Sequence, residues 1–272
     1  MKKCLVIMLC ILFLCGCTDY RPAQQTIVPE TEAPADVPEP PASDDVIAAV
    51  AMPTPTPEPT KDPNRLMVAL TFDDGPNMNC TMPVLDKLEQ YHVKATFYVL
   101  GSAINDKNGY MLQRMVDLGC EIGVHGRNHD NMTTFTASQN AKRMLATCDE
   151  ISSWIEGGYR PTTVRPPGGS YNGSVLRGAK EAGLAVVKWS VDTADWKTQN
   201  AGKIMEVVKK KTKNGSIILC HDRHKPTVDA LDQIIPWLLE QGYELVTVTE
   251  LLTSTGEPLE AGKLYTKKDV GD

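Results

Sequence analysis

Hydrophobic positions along residues 66–248 follow two rhythms that take turns. Short apolar, β-rich runs at 66–72, 93–100, 120–124, 162–165, 184–191, 216–220 and 243–248 read as strands, most of them closed by a turn signal or a polar cluster. Between them, apolar residues recur every three or four places. Met82, Leu85 and Leu88 mark a helix over 83–91. Met144, Leu145, Ile151 and Ile155 mark another over 138–155, with Ser138 as its N-cap and Gly157-Gly158 as its stop. Further helices are expected over 110–118, 174–182, 201–211 and 228–241. Seven strands alternating with helices predict an α/β fold, a parallel sheet covered by helices. The pattern alone leaves open whether that sheet closes into a barrel.

The first 63 residues break this rhythm. Lys2 and Lys3 precede an apolar run from Cys4 to Leu14 that is short for a bilayer span. A basic start before such a run is a signal peptide. It ends Leu14-Cys15-Gly16-Cys17, which resembles a bacterial lipobox with Cys17 as the lipidated first residue. The expectation is therefore a signal segment over 1–17 and an extracytoplasmic, lipid-anchored protein, with an uncleaved anchor as the alternative. Residues 18–63 are rich in Pro, Glu, Asp, Ala and Thr and hold too little apolar surface for a core, so they read as a disordered linker. Extended proline-rich chain of that length reaches on the order of 100 Å. The globular part is then 64–272.

The formal net charge is −6. The linker carries Asp19, Glu30, Glu32, Asp36, Glu39, Asp44, Asp45, Glu58 and Asp62 against Arg21 and Lys61, so the globular part is close to neutral. No basic patch argues for nucleic acid, and nothing demands an oligomer, so a monomer is expected. Cys80, Cys120, Cys148 and Cys220 lack a Cys-x-x-Cys pair; each is a small buried residue or half of a bridge.

Five polar clusters stand at the ends of predicted strands: Thr71-Phe72-Asp73-Asp74-Gly75-Pro76, His125-Gly126-Arg127-Asn128-His129, Arg165-Pro166-Pro167-Gly168-Gly169, Asp192-Thr193-Ala194-Asp195-Trp196 and Leu219-Cys220-His221-Asp222. In a βα-barrel every strand delivers its C-terminal end to one face, where five such clusters would meet. His125 and His129, four positions apart, can share one side of a helical turn or tight loop. Two imidazoles and a carboxylate make a three-ligand metal set with open positions. Asp73-Asp74 offers two carboxylates: one can bind the ion while its neighbour stays free as a base. Strand alternation would separate them, unless the Gly75-Pro76 turn twists the second back. His221 offers an acid for a departing amine, Asp195 a partner that raises its pKa, and Arg165 a clamp for a carboxylate. Leu219 falls on the face of His221 and can line a small apolar pocket; Trp196 either joins that pocket or packs structurally.

These motifs, in this order, resemble the NodB-type polysaccharide deacetylases, carbohydrate esterase family 4. The resemblance covers roughly residues 65–252. It implies a distorted (β/α)7-type barrel, with Asp73 as catalytic base, Asp74, His125 and His129 as ligands of a divalent metal, most often Zn2+, Arg165 orienting Asp73, Asp195 tuning His221, and His221 as general acid. Two positions depart from the family pattern. Gly126 replaces a hydroxyl residue that braces the loop between the histidines, so either metal affinity is lowered or Asn128 supplies the brace. Gly168 replaces an aromatic, which removes a groove wall but keeps a backbone N–H for an oxyanion.

The function this implies is metal-dependent removal of acetyl groups from N-acetylated amino sugars of a cell-surface polysaccharide, with peptidoglycan N-acetylglucosamine first. Alternatives are an acetylxylan or exopolysaccharide esterase, a chitooligosaccharide deacetylase, and a non-catalytic glycan-binding lipoprotein. A non-haem iron oxygenase could also use two histidines and a carboxylate, but it leaves Arg165, Asp195 and His221 without a role.

Overall fold

A computed structural model describes residues 65–268. The predicted signal segment, Cys17 and the linker lie outside the described residues. In chain order the elements are β1 (Met67–Asp73), α1 (Thr81–Gln90), β2 (Thr96–Val99), α2 (Tyr110–Asp117), β3 (Glu121–Val124), α3 (Ala137–Ser153), β4 (Thr163–Val164), α4 (Gly173–Glu181), β5 (Ala185–Val187), β6 (Val191–Asp192), α5 (Asp195–Thr198), α6 (Ala201–Lys211), β7 (Ile217–His221), α7 (Lys225–Glu240), β8 (Glu244–Leu245), α8 (Val248–Thr253) and β9 (Leu264–Tyr265). Single 3-10 turns follow β2, precede α3 and follow β4.

All strand pairs are parallel, in the order β6-β7-β1-β2-β3-β4-β5-β9, with β8 also on β1. β5 and β6 lie far apart in that order, yet only Lys188, Trp189 and Ser190 separate them in the chain. Four extended peptide steps span at most about 14 Å, so the sheet must curl until its two sides nearly meet. The result is an incomplete (β/α) barrel, the fold the sequence led us to expect.

Period-two alternation sorts the strands. Val68, Leu70 and Phe72 of β1, Ile122 and Val124 of β3, and Ile218 and Cys220 of β7 face outward into the main core shared with the helices. Phe72 stacks on Phe97 with ring centroids 5.3 Å apart. The other face looks into the barrel: Met67, Ala69, Thr71 and Asp73 on β1, Ile217, Leu219 and His221 on β7. Its lower part is apolar, with Met67, Ala69, Tyr98, Val187, Ile217, Val246, Val248 and Leu251 in one cluster. Fully burying a Leu- or Ile-sized side chain contributes about 1.5–3 kcal/mol, so both faces favour the curl. Glu121 closes the floor. It accepts hydrogen bonds from Thr96, Thr163 and both the N–H and hydroxyl of Thr249, tying β2, β3, β4 and α8 together.

Several boundaries differ from the sequence reading. The run at 184–191 is two strands, because the backbone turns at Lys188–Ser190 where the Lys188 carbonyl accepts from Arg165. The run at 243–248 is a two-residue strand followed by α8, and β9 was not expected. The α3 cap is Thr136 rather than Ser138: its hydroxyl accepts from Gln139 N–H, and the Gln139 side chain accepts from Thr136 N–H. α7 starts three residues before the expected Val228, with Pro226 in its first turn. The four cysteines at 80, 120, 148 and 220 are all free and buried.

Candidate active site

The inward-facing rows end in polar groups at the C-terminal edge of the sheet. Parallel register sets Asp73 beside His221 and Thr71 beside Leu219. His125 N–H extends the β2–β3 ladder to Val99 O, and Arg165 N–H extends β3–β4 to Val124 O. Asp195 enters from the loop after β6. These residues meet around one cleft of about 460 Å³, lined by Asp73, Asp74, His125, His129, Gly168 and His221, among others.

Asp74 is brought into the cleft by its own backbone. Its φ is +77°, a left-handed conformation uncommon for a residue with a Cβ. That reversal, at the residue leading into the Gly75-Pro76 turn, cancels strand alternation and puts both carboxylates on one side. Gly75 is needed for close packing: a Cβ there would lie 2.7 Å from Asp222 Oδ1. Asp222 is fully buried behind the turn, accepts a hydrogen bond from Thr81, and burial pushes its pKa up to about 7.

Asp74 Oδ1 is buried without a hydrogen-bond partner. It lies 3.4 Å from His125 Nε2 and 3.6 Å from His129 Nε2. Two donors each about 2.1 Å from a tetrahedral ion stand about 3.4 Å apart. The orphaned oxygen and the two imidazoles thus fit a divalent cation in both spacing and chemistry, and the three donor atoms all lie within 4.8 Å of one another. His125 Nδ1 is 2.7 Å from Arg165 O, which can only accept. The ring proton therefore sits on Nδ1 and the Nε2 lone pair faces the cluster. Burial raises the Asp74 pKa, but His125, His129 and His221, when protonated, outweigh it and hold the carboxyl well below the usual range.

The histidine pair occupies a tight loop, with ring centroids 5.4 Å apart. Gly126 has φ +86°, and a Cβ there would meet Met132 Cε at 2.8 Å. Met132 Cε is the end of a flexible side chain and can give way, so what disfavours a hydroxyl residue here is the strain of that positive φ. The brace comes instead from Gly101 N–H to Gly126 O and Ser102 N–H to Arg127 O. Asn128, the expected substitute, is exposed and its side chain makes no hydrogen bond among the described residues.

Arg165 is wholly buried. Its Nη1 donates to Asp73 Oδ1 and to Thr71 Oγ1, both at 2.7 Å, and its Nη2 donates to Lys188 O at 2.9 Å. The guanidinium lies over the Tyr98 ring at 4.1 Å. Asp73 Oδ2 is 3.7 Å from His125 Nε2, facing the ligand cluster.

Across the cleft, Asp195 is also wholly buried and accepts four hydrogen bonds: from His221 Nδ1 (2.8 Å), Trp196 N (2.9 Å), His221 N (2.7 Å) and the Thr227 hydroxyl (2.7 Å). Burial opposes a charge on His221. The hydrogen bond and charge of Asp195, with Asp73 and Asp74 beyond, outweigh it and raise the His221 pKa above its ordinary value. Leu219 and Trp196 both line the cleft, Leu219 buried and Trp196 53% exposed. Gly168 forms part of the wall with φ +60° and open space where a side chain would point. Sequence reasoning missed Trp189, Arg223 and His224 in the lining and the buried Asp222; only Asp222, next to His221, sat in a motif already singled out.

The polysaccharide deacetylase family model matches residues 60–187. The peptidoglycan-N-acetylglucosamine deacetylase PgdA of Listeria monocytogenes is 41% identical over 212 residues, 78% of this chain and 44% of PgdA. The chain thus spans less than half the length of that relative. The solved structure of the peptidoglycan deacetylase PdaC from Bacillus subtilis shares 39% identity, with 72% of this chain and 94% of that one covered and a TM-score of 0.66. A family 4 acetyl xylan esterase from Clostridium thermocellum, solved with a cobalt ion, shares 37% identity, with 74% and 98% covered and a TM-score of 0.69. Together with the curled parallel sheet and the groups gathered at its strand ends, these likenesses establish that the chain belongs to the polysaccharide deacetylase family.

Proposed function

We propose that this chain is a divalent-metal-dependent deacetylase of N-acetylated amino sugars in a cell-wall polysaccharide, with peptidoglycan N-acetylglucosamine as first substrate. The observation that carries the reading is the orphaned Asp74 Oδ1 between two imidazole nitrogens, with a clamped carboxylate on one side and the His221–Asp195 pair on the other. Asp74, His125 and His129 would hold the ion, with Zn2+ the expected species for this donor set. Bound there, a divalent cation would supply a Lewis acid that polarises the acetyl carbonyl and lowers the pKa of water.

The chain's own groups do the rest. Arg165 occupies Asp73 Oδ1, so Oδ2 is the oxygen that takes a proton from the attacking water. The backbone N–H of Gly168 receives the developing oxyanion. His221, its Nδ1 engaged by Asp195, donates from Nε2 to the departing sugar nitrogen. Leu219 and Trp196 bound the space for the acetyl methyl and the sugar ring. Acetate and a free amine result.

The Cys17 lipobox motif and signal segment over 1–17 support an extracytoplasmic, lipid-anchored enzyme, and the linker 18–63 gives it reach into the wall. We read it as a monomer. The test is release of acetate and free amines from purified wall glycan by metal-loaded protein, with chelated protein as control. Acetylated xylan and chitin oligomers in parallel arms cover the esterase and chitooligosaccharide readings. Absence of acetate from every glycan with every divalent metal overturns the proposal in favour of a glycan-binding role.

A further inference from the structure

Arg223 lines the cleft and has no part in the reaction just derived. It is the one Arg or Lys among the residues lining that cleft. Its Nη1 lies 3.4 Å from Asp74 Oδ2, long for a charge-assisted hydrogen bond, and its side chain is half exposed. So open a pairing contributes little. The other acids of the cleft are engaged elsewhere: Asp73 by Arg165, and Asp192 by the N–H of Ala194 in its own turn. The neighbouring Lys225 is turned to Asp229. A divalent ion on Asp74 would claim the charge that now attracts the guanidinium. What remains is a permanently charged, solvent-facing fork at the rim, two residues beyond His221, with no other anion of the cleft to satisfy it.

We propose that Arg223 is a specificity-determining residue that reads a carboxylate on the glycan beside the N-acetyl sugar being deacetylated. This rests on the deacetylase reading and narrows it to an anionic strand. The planar guanidinium suits bidentate recognition of a carboxylate. An uncharged polymer of N-acetylated sugars offers it nothing. The carboxylate can belong to a sugar substituent or to an attached peptide.

The test uses the full chain loaded with Zn2+ and three substrates: wall-glycan strands freed of peptide, the same strands with carboxylates amidated by carbodiimide, and strands that keep their peptides. For the unmodified protein, KM on the carboxylate strands should be about tenfold below that on the amidated ones, the size of one hydrogen-bonded charge. Arg223→Ala should close that gap by raising KM on the carboxylate strands, and Arg223→Lys should keep part of it. Preference only for peptide-bearing strands would assign the carboxylate to the peptide. The proposal is overturned if the unmodified protein treats free, amidated and peptide-bearing strands alike. It is equally overturned if Arg223→Ala depresses both alike while weakening Zn2+ binding by calorimetry, which would make the arginine a support for Asp74. Should no strand release acetate, the deacetylase reading fails on its own account. Anisotropy binding of free against amidated strands to the same variants then decides the role of Arg223, with the same tenfold contrast expected.

Discussion

Replacing Asp195 by Asn tests the His221 pair most directly, because the change is nearly isosteric and its cost can be counted. All four partners of the Asp195 carboxylate are donors: two N–H groups and the hydroxyl of Thr227, plus the imidazole Nδ1–H. An amide offers one accepting oxygen and one donating nitrogen. Turned either way, it leaves one edge of two donors facing its own NH2. On one edge the Thr227 hydroxyl can rotate away, but a buried backbone N–H stays unpaired. At about 1–3 kcal/mol for an unsatisfied buried donor, plus the lost charge assistance, the variant should lose about 2–4 kcal/mol. For a domain of this size that lowers Tm by roughly 5–12 °C.

The loss depends on pH, with a definite sign. His221 has a raised folded pKa, so its contribution is complete below its ordinary value of 6.5 and disappears as pH rises through the raised one. Asp195 is shifted the other way: burial raises its pKa, but the His221 pairing outweighs that and lowers it, so its contribution is complete above 3.8 and disappears as pH falls through the lowered value. The pair is therefore at full strength near pH 5.5. Thermal melts of chelated protein and Asp195→Asn should differ most there, and the difference should shrink as pH rises through the raised His221 pKa. The alkaline limb of acetate release should also move to lower pH in the variant. A Tm difference independent of pH, with an unmoved alkaline limb, would refute the assignment of His221 as an acid held charged by Asp195.

Other outcomes follow from the same geometry. Asp74→Asn or His125→Ala should weaken Zn2+ binding by on the order of 100-fold or more, since groups that touch the ion matter at least as much as the groups that orient them; calorimetry with Zn2+ checks this. Gly126→Ser should not improve metal affinity and should lower Tm, because its φ of +86° strains any residue with a side chain. Trp196→Ala should change stability by less than about 0.5 kcal/mol, being 53% exposed, yet raise KM for the glycan. None of the thiols at 80, 120, 148 and 220 should react with a maleimide until the protein is unfolded, since each is buried and burial raises each pKa.

Much of this site could be read in the sequence because a strand end is a local signal. Apolar runs ending in Asp, His or Arg marked the edge where those groups collect, and parallel register did the rest. The misses have physical causes. The apolar run at 184–191 gave no warning of its break, which depends on Arg165 arriving from β4 to take the Lys188 carbonyl. That arginine's stacking on Tyr98 is long-range and leaves no local trace. α8 was a different kind of miss. Thr247 and Glu250 form a capping box that the sequence displays, but the β-rich residues before it dominated the reading. Arg223 and Trp189 carry ordinary surface and core chemistry, so only their place in the cleft singles them out.

The plugged interior has a consequence for traffic. Below Asp73 the bore is stoppered by Arg165, Tyr98, the apolar cluster and the Glu121 knot. Among the described residues, these groups close the cleft from below. If the chain deacetylates a glycan as proposed, acetate would leave on the side where the strand sits, and glycan bound too tightly at the rim would slow its release.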